Sequence, residues 1–161
     1  MRESPETTRG THPTISIALV GCSGAKLKHS APARDLYTSP LFKQTLQLAE
    51  RRHDAIYIIS AKLELVALDQ VIEPYDQTMA DVAKEWRAVW GLRVWGSILS
   101  RHQTADRQIY VYAGKDYAQP IRRAGFHQAT FHEPLAGKML GERLSWLKQE
   151  IATSAPRVDP M

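Results

Sequence analysis

Three short apolar runs, each flowing directly into polar residues, constrain this chain more than any other feature. Ile15 to Gly21 (ISIALVG), Ala55 to Ser60 (AIYIIS) and Gln108 to Ala113 (QIYVYA) are continuous rather than alternating in hydrophobicity, the pattern of strands covered on both faces. Helical spacing fills the stretches between them. Ser39 can cap a helix with Pro40 at its first position, with Leu41, Thr45 and Leu48 or Phe42, Leu46 and Ala49 as its inward stripe and an end near Arg52. From Met79 to His102, the four-residue spacing of Val82, Trp86, Trp90, Val94 and Ile98 predicts one long core-facing helix, with Gly91 and Gly96 as places for a bend. A fourth strand is expected at His127 to His132. After Pro134 a last helix carries Leu140, Leu144, Leu147 and Ile151.

Strands alternating with helices imply an α/β fold in three layers: a single, mainly parallel sheet of about four or five strands flanked by helices and built from right-handed crossovers. One domain is expected over residues 15–152, with flexible ends over 1–14 and 153–161. A chain of 161 residues, 43% of them hydrophobic, can bury a core without staples. The single cysteine, Cys22, leaves no internal disulfide and no Cys-x-x-Cys, which points to a reducing, cytoplasmic setting. No apolar leader precedes Thr14 and no run approaches eighteen apolar residues, so neither a signal peptide nor a membrane span is expected. A monomer is expected.

The net charge of +4 suits a polyanionic partner without demanding one. Arg51, Arg52, Arg101 and His102 fall at predicted helix ends, where they complement the dipole. Lys26, Lys28, His29 and Arg34 crowd one loop instead, the place for contacts to a phosphate backbone.

In a parallel sheet, ligands bind beyond the carboxyl ends of the strands. Cys22 to Tyr37, Ala61 to Asp76 and Gly114 to Tyr117 are the segments that rule selects. The turn Gly21-Cys22-Ser23-Gly24-Ala25-Lys26 has neither the Walker spacing nor the third glycine of a dinucleotide fingerprint. It remains a tight turn whose N–H groups, with Ser23 and Lys26, suit an anion or a carbonyl. His127 and His132 would point to opposite faces of a strand, and no other histidine pair has ligand spacing, so no metal is expected. Cys22 reads as packing rather than as a nucleophile. Glu64, Asp69, Glu73 and Asp76 put four carboxylates within thirteen residues after a buried strand. Asp76, before Thr78, is suited to capping, whereas Glu64 beside Lys62 is suited to charge chemistry.

Val20-Gly21-Cys22-Ser23-Gly24-Ala25-Lys26, Asp35-Leu36-Tyr37, Ser60-Ala61-Lys62, Pro74-Tyr75-Asp76, Gly114-x-x-Tyr117 and Pro134-Leu135-x-Gly137 together resemble a bacterial and phage family of uncharacterised domains. That family is distantly similar to the YaaA-type peroxide-stress proteins and to the core domain of archaeosine synthase, and similar small domains act as anti-phage DNA glycosylases. The resemblance implies handling of nucleobases in or near nucleic acid. Where the family usually has His-Gly after Ser-Ala-Lys, this chain has Leu63-Glu64, so no role of that histidine carries over.

The expected activity is that of a DNA glycosylase hydrolysing the N-glycosidic bond of a bulky modified pyrimidine, such as glucosylated hydroxymethylcytosine. Its oxocarbenium-like transition state calls for a carboxylate, from Glu64, Asp76 or Asp35, and for a donor to the departing base, from Lys26, Lys62 or Lys115. A flipped base would stack on Tyr37, Tyr75 or Tyr117, with Cys22, Ser23, Gly24 and Ser60 completing the substrate site. Lys28, His29 and Arg34, with Lys26, face the DNA backbone. No cofactor is needed, since water is the second substrate. An N-glycosidase or base transferase acting on free nucleosides or nucleotides, and a non-catalytic DNA-binding stress protein, are the competing readings.

Overall fold

The computed structural model describes residues 13–103 and 106–158; of the flexible ends expected over 1–14 and 153–161, residues 1–12 and 159–161 lie outside them. In chain order the elements are β1 (Thr14–Gly21), β2 (Ala31–Pro32), α1 (Ala33–Leu36), α2 (Pro40–Arg52), β3 (Ala55–Ser60), β4 (Glu64–Ala67) and β5 (Val71–Ile72). A 3-10 turn (Met79–Asp81), α3 (Lys84–Arg101), β6 (Asp106–Tyr112), α4 (Lys115–Ala124), β7 (Thr130–His132) and α5 (Leu140–Thr153) follow. The main sheet has the order β4-β3-β1-β6-β7, parallel except for β4, and β2 and β5 form a separate antiparallel pair.

The expected three-layer α/β architecture is what the chain adopts. Ala18 and Val20 of β1 enter a core with Phe42, Leu46, Leu48 and Ala49 of α2 and Leu147 of α5. Ile17 and Leu19 enter the opposite core with Trp90, Val94, Trp95 and Ile98 of α3 and Ala118 and Ile121 of α4. All four β1 side chains are at most 1% exposed, which is why the run needs no polar alternation.

The cap of α2 follows the sequence: Ser39 Oγ accepts from the Phe42 amide at 3.2 Å and Pro40 opens the helix. Its terminal arginines serve another helix. Arg51 donates to the carbonyls of Ile151 and Ser154 at 2.7 and 3.0 Å and so satisfies open carbonyls at the end of α5, while Arg52 bonds the Glu150 carboxylate and the Ser154 hydroxyl. Arg157, in the expected tail, bonds to the His53 carbonyl and to Asp54.

Three expectations are corrected. The helix predicted from Met79 divides into the 3-10 turn and α3, and Trp86 is 64% exposed. A row at four-residue spacing drifts by about 40° per step around an α-helix, so Trp86 turns away while Trp95, outside the row, turns in. The fourth strand begins at Thr130 rather than His127, which sits in a turn with φ 72° after α4. Leu140 of α5 is exposed and only Leu147 is fully buried there. Gly91 lies where α4 crosses α3: a Cβ there would stand 2.5 Å from the Pro120 carbonyl carbon and oxygen. Its small size permits that approach.

His53 is buried with both ring nitrogens engaged, Nδ1 with Ser16 Oγ at 2.6 Å and Nε2 with Tyr112 Oη at 2.7 Å. Burial, reinforced by Arg52, pushes its pKa down to about 4 from 6.5. The ring is neutral in the fold and takes up a proton in the unfolded chain near pH 6.5. Its contribution is therefore complete above pH 6.5 and is lost as pH falls toward 4, on the order of 3 kcal/mol in full. Half-buried His102, also shifted down by burial, adds a loss of the same sign. Urea melts between pH 7 and 4.5 should show stability falling with acid, and His53→Phe should flatten that slope while lowering stability at pH 7. An unchanged slope in the variant would remove His53 from this account. Separately, Gly91→Ala should cost about 1–3 kcal/mol by overpacking against Pro120, measured as a shifted urea midpoint.

Candidate functional site

The carboxyl ends of β1 and β3 are brought together by their two following loops. After β1 the chain makes a narrow excursion closed by Leu27 N to Leu36 O at 2.8 Å and Thr38 N to Ala25 O at 3.0 Å. The β2–β5 pair, with Ala33 N to Gln70 O at 2.8 Å, ties that excursion to the loop after β4. The consequence is that Lys26 and Tyr37 meet Tyr75 and Ser60, which are far apart in sequence.

At their meeting point stands a chain of hydroxyls. Ser60 Oγ accepts from the amides of Lys62 and Leu63 at 3.2 and 3.0 Å and donates to Tyr75 Oη at 2.7 Å. Tyr37 Oη lies 2.6 Å from Tyr75 Oη. Tyr37 and Ser60 are 0% exposed, whereas Tyr75 is half-buried. Burial raises Tyr37 to about 12 against the lowering effect of its bond to Tyr75, and burial also holds Tyr75 well above the ordinary phenol range. Both are neutral phenols at physiological pH. Two ammonium groups lie over the Tyr75 ring, Lys26 Nζ at 4.5 Å and Lys62 Nζ at 5.9 Å from its centroid.

A second cavity, of about 150 Å³, opens between the ends of β1 and β6. The helices that follow these neighbouring strands, α2 and α4, pack on opposite faces of the sheet, which makes this the topological switch point of the fold. Cys22 Sγ lies 3.6 Å from Tyr117 Oη there, and that hydroxyl also accepts the Met79 amide at 3.2 Å. Burial raises the Tyr117 phenol as well. Gly21 lets β1 and β6 approach closely at the strand end, since a Cβ would stand 3.0 Å from Ala113 Cβ, a tight contact. Ser39, expected as a helix cap, and Gly114, from a selected strand-end segment, also line this cavity, as does Arg143, which was not singled out by sequence. An arginine in the first turn of a predicted helix carries no signal of its own.

The predicted site residues divide. Cys22, Ser60, Tyr37, Tyr75 and Tyr117 are in the clusters just described, with Lys26 and Lys62 over Tyr75. Ser23 uses its hydroxyl on the Ala25 carbonyl at 3.1 Å and Lys26 reaches the Gly24 carbonyl at 3.4 Å, so the turn after β1 satisfies its own polar groups. Glu64 departs from its expected pairing with Lys62. It adopts φ 65° and its carboxylate lies 3.3 Å from Arg93 of α3, because the left-handed turn at the start of β4 swings it to that side. Asp76 does not cap: Thr78 and Asp81 form the capping box of the 3-10 turn. Asp76 instead borders an open groove of about 530 Å³ with Gly24, Lys26, Leu27, Lys28, Pro74 and Tyr75.

Asp35 is exposed on α1, away from that groove's lining, and Arg34 beside it pairs with Glu50 at 3.1 Å. Arg34 lines a hollow with His53 and Asp54, which precede β3, so it belongs to the amino-terminal end of the sheet. His29 is exposed and bonds to the Ser30 carbonyl, and Lys115 is exposed at the start of α4. Of the three aromatic stacking candidates, Tyr37 is sealed in the core, and Tyr117 is held by Cys22 and Met79 with Trp90 edge-on to its ring. Among the described residues, no three His, Cys, Asp or Glu side chains converge as metal ligands would, and no helix is long and apolar enough to cross a membrane.

Fold and site define an α/β domain, helices on both faces, with its polar clusters at the carboxyl ends of parallel strands. The chain belongs to DUF6884, a family of unknown function whose model matches residues 17–149. Neither the curated proteins nor the solved structures hold a match to it.

Ser60 is the hub of the hydroxyl chain, so Ser60→Ala should orphan the amides of Lys62 and Leu63 and cost about 1–3 kcal/mol. A urea midpoint equal to that of the parent would show that those amides find other partners.

Proposed function

We propose that the protein is an N-glycosidase that releases a bulky modified base from DNA, working at the groove between the loops after β1 and β5. One observation carries the reading: of the three carboxylates expected to do the charge chemistry, Asp76 alone shares a groove with Lys26, Lys28 and Tyr75, and it has no ion-pair partner among the described residues. The groove falls within the roughly 300–1,000 Å³ range of ligand sites, whereas the cavity at the switch point lies below it. Its openness suits a polymer better than a free nucleoside. The likeness of the motifs to YaaA-type proteins, archaeosine synthase and anti-phage glycosylases supports a nucleobase as the target.

In this reaction the bond from the sugar C1′ to the base nitrogen breaks, and its electron pair leaves with the base. The Asp76 carboxylate stabilises the cationic sugar and accepts a proton from the attacking water, whose oxygen ends on C1′. The departing base gains a proton, aided by donors on the Lys26 side. Lys26 and Lys28 hold the flanking phosphates. Glu64, committed to Arg93, is outside this scheme.

Incubation with duplexes carrying modified pyrimidines, followed by mass identification of released base, tests the reading. Asp76→Asn should lower release by about 10²-fold or more, while Glu64→Gln stays near the parent rate. Lys28→Ala should reduce the salt slope of DNA binding by about one unit and Arg34→Ala should leave it unchanged. Parent-rate release by Asp76→Asn, or no release from any modified duplex, would overturn the proposal.

A further inference from the structure

On the face of the sheet opposite α2, α3 and α4 pack side by side. Arg87 lies 3.8 Å from Asp116, and a Cβ on Gly91 would meet Pro120. Both pairs have the same offset in sequence, so the two helices run in the same direction. Gly91 lets them touch at depth, and their outward faces leave an open groove of about 480 Å³. It shares no lining residue with the groove assigned to base release.

The lining comes from one stripe of each helix. Its apolar part is Ala88, Leu92, Pro120 and Ala124, and Leu92 is 60% exposed. Lys84 stands toward one end and Arg123 toward the other, and neither has an ion-pair partner among the described residues. Arg87 is a further cation, fixed by donation from its Nε to the Val82 carbonyl at 3.1 Å. Asp116, beside Arg87, is the one carboxylate in the lining. An apolar floor with cations at both ends is thus left uncovered.

We propose that this groove docks an amphipathic helix of a partner protein, with apolar side chains along one face and carboxylates flanking them. Lys84 and Leu92 are about 12 Å apart along α3, the length of roughly two helical turns. Charge complementarity sets the flanks, since carboxylates at either end of such a segment meet Lys84 and Arg123. The backbone sets the conformation. The walls are helices whose N–H and C=O groups are paired internally, so an extended segment would find no main-chain partners here, whereas a helix brings its own already paired. A lipid surface is too flat to enter the groove, and DNA phosphates gain nothing from Leu92.

The probe is a synthetic peptide of about fourteen residues with leucine at i, i+3, i+4 and i+7, glutamates beside them and alanine elsewhere. Titrated into the isotope-labelled full chain, it should shift the amide signals of Ala88, Leu92 and Ala124. A matched peptide with lysine in place of glutamate should bind about tenfold more weakly or worse, and Leu92→Asp and Arg123→Glu should each weaken the glutamate peptide about tenfold. Both side chains are exposed, so the variants should keep the parent fold and the parent rate in any base-release assay. Equal affinity for the two peptides, binding untouched by both variants, or no shift in the groove overturns the proposal. Dodecanoate or duplex DNA moving these signals where the glutamate peptide does not would also overturn it, and would assign the groove to a small apolar anion or to nucleic acid.

Discussion

Everything in this molecule hangs on β1 being paired in parallel on both edges and buried on both faces. A strand in that position cannot be reached by a hairpin from either neighbour, so each connection must cross over through a helix, and the crossings cover both faces. Ile17 and Leu19 therefore face one helical layer and Ala18 and Val20 the other. Since α2 and α4, which follow β1 and β6, lie on opposite faces, the chain leaves these adjacent strands in opposite directions. The opening that results is where Cys22, Tyr117 and Arg143 gather.

The clusters at this end of the sheet are assembled mainly from neutral groups. Phenols, a serine hydroxyl and a thiol can be buried at modest cost when each finds a partner, whereas buried carboxylates or ammoniums need matched charges. The charged residues accordingly stand at the margin: Lys26 and Lys62 over the outer phenol ring, and Lys28 and Asp76 exposed at the groove. This arrangement fixes the inner hydroxyls in geometry while leaving the charges accessible to a ligand. The opposite end of β1 serves stability instead. There the neutral His53 ring joins Ser16 of β1 to Tyr112 of β6, and Asp54 accepts the Ser16 amide.

Much of the architecture was legible because it depends on local periodicity. Apolar runs without alternation marked β1, β3 and β6, and Ser39-Pro40 marked the start of α2. The main error of periodicity came in α3, where a row of four-residue steps was treated as straight although the helix turns slightly past a full circle at each step. All three tryptophans of this segment are expected in the core; Trp90 and Trp95 are buried there, and Trp86 is exposed for that reason. The short strands β2, β4 and β5 had no signal of their own, since two to four residues carry too little pattern.

The sequence by itself determined the strand ends, the identity of the residues that follow them, and hence the region in which the polar clusters had to form. Tertiary structure alone decided which of those residues meet. Lys62 and Glu64 are two positions apart, yet a left-handed backbone at Glu64 sends its carboxylate to Arg93, twenty-nine residues away. Tyr37 and Tyr75 are thirty-eight apart and share a hydrogen bond because the β2–β5 pairing locks two loops together. Local propensity acts over a few bonds, whereas side-chain partnership depends on the loop registers set by long-range backbone pairing, which no local pattern encodes.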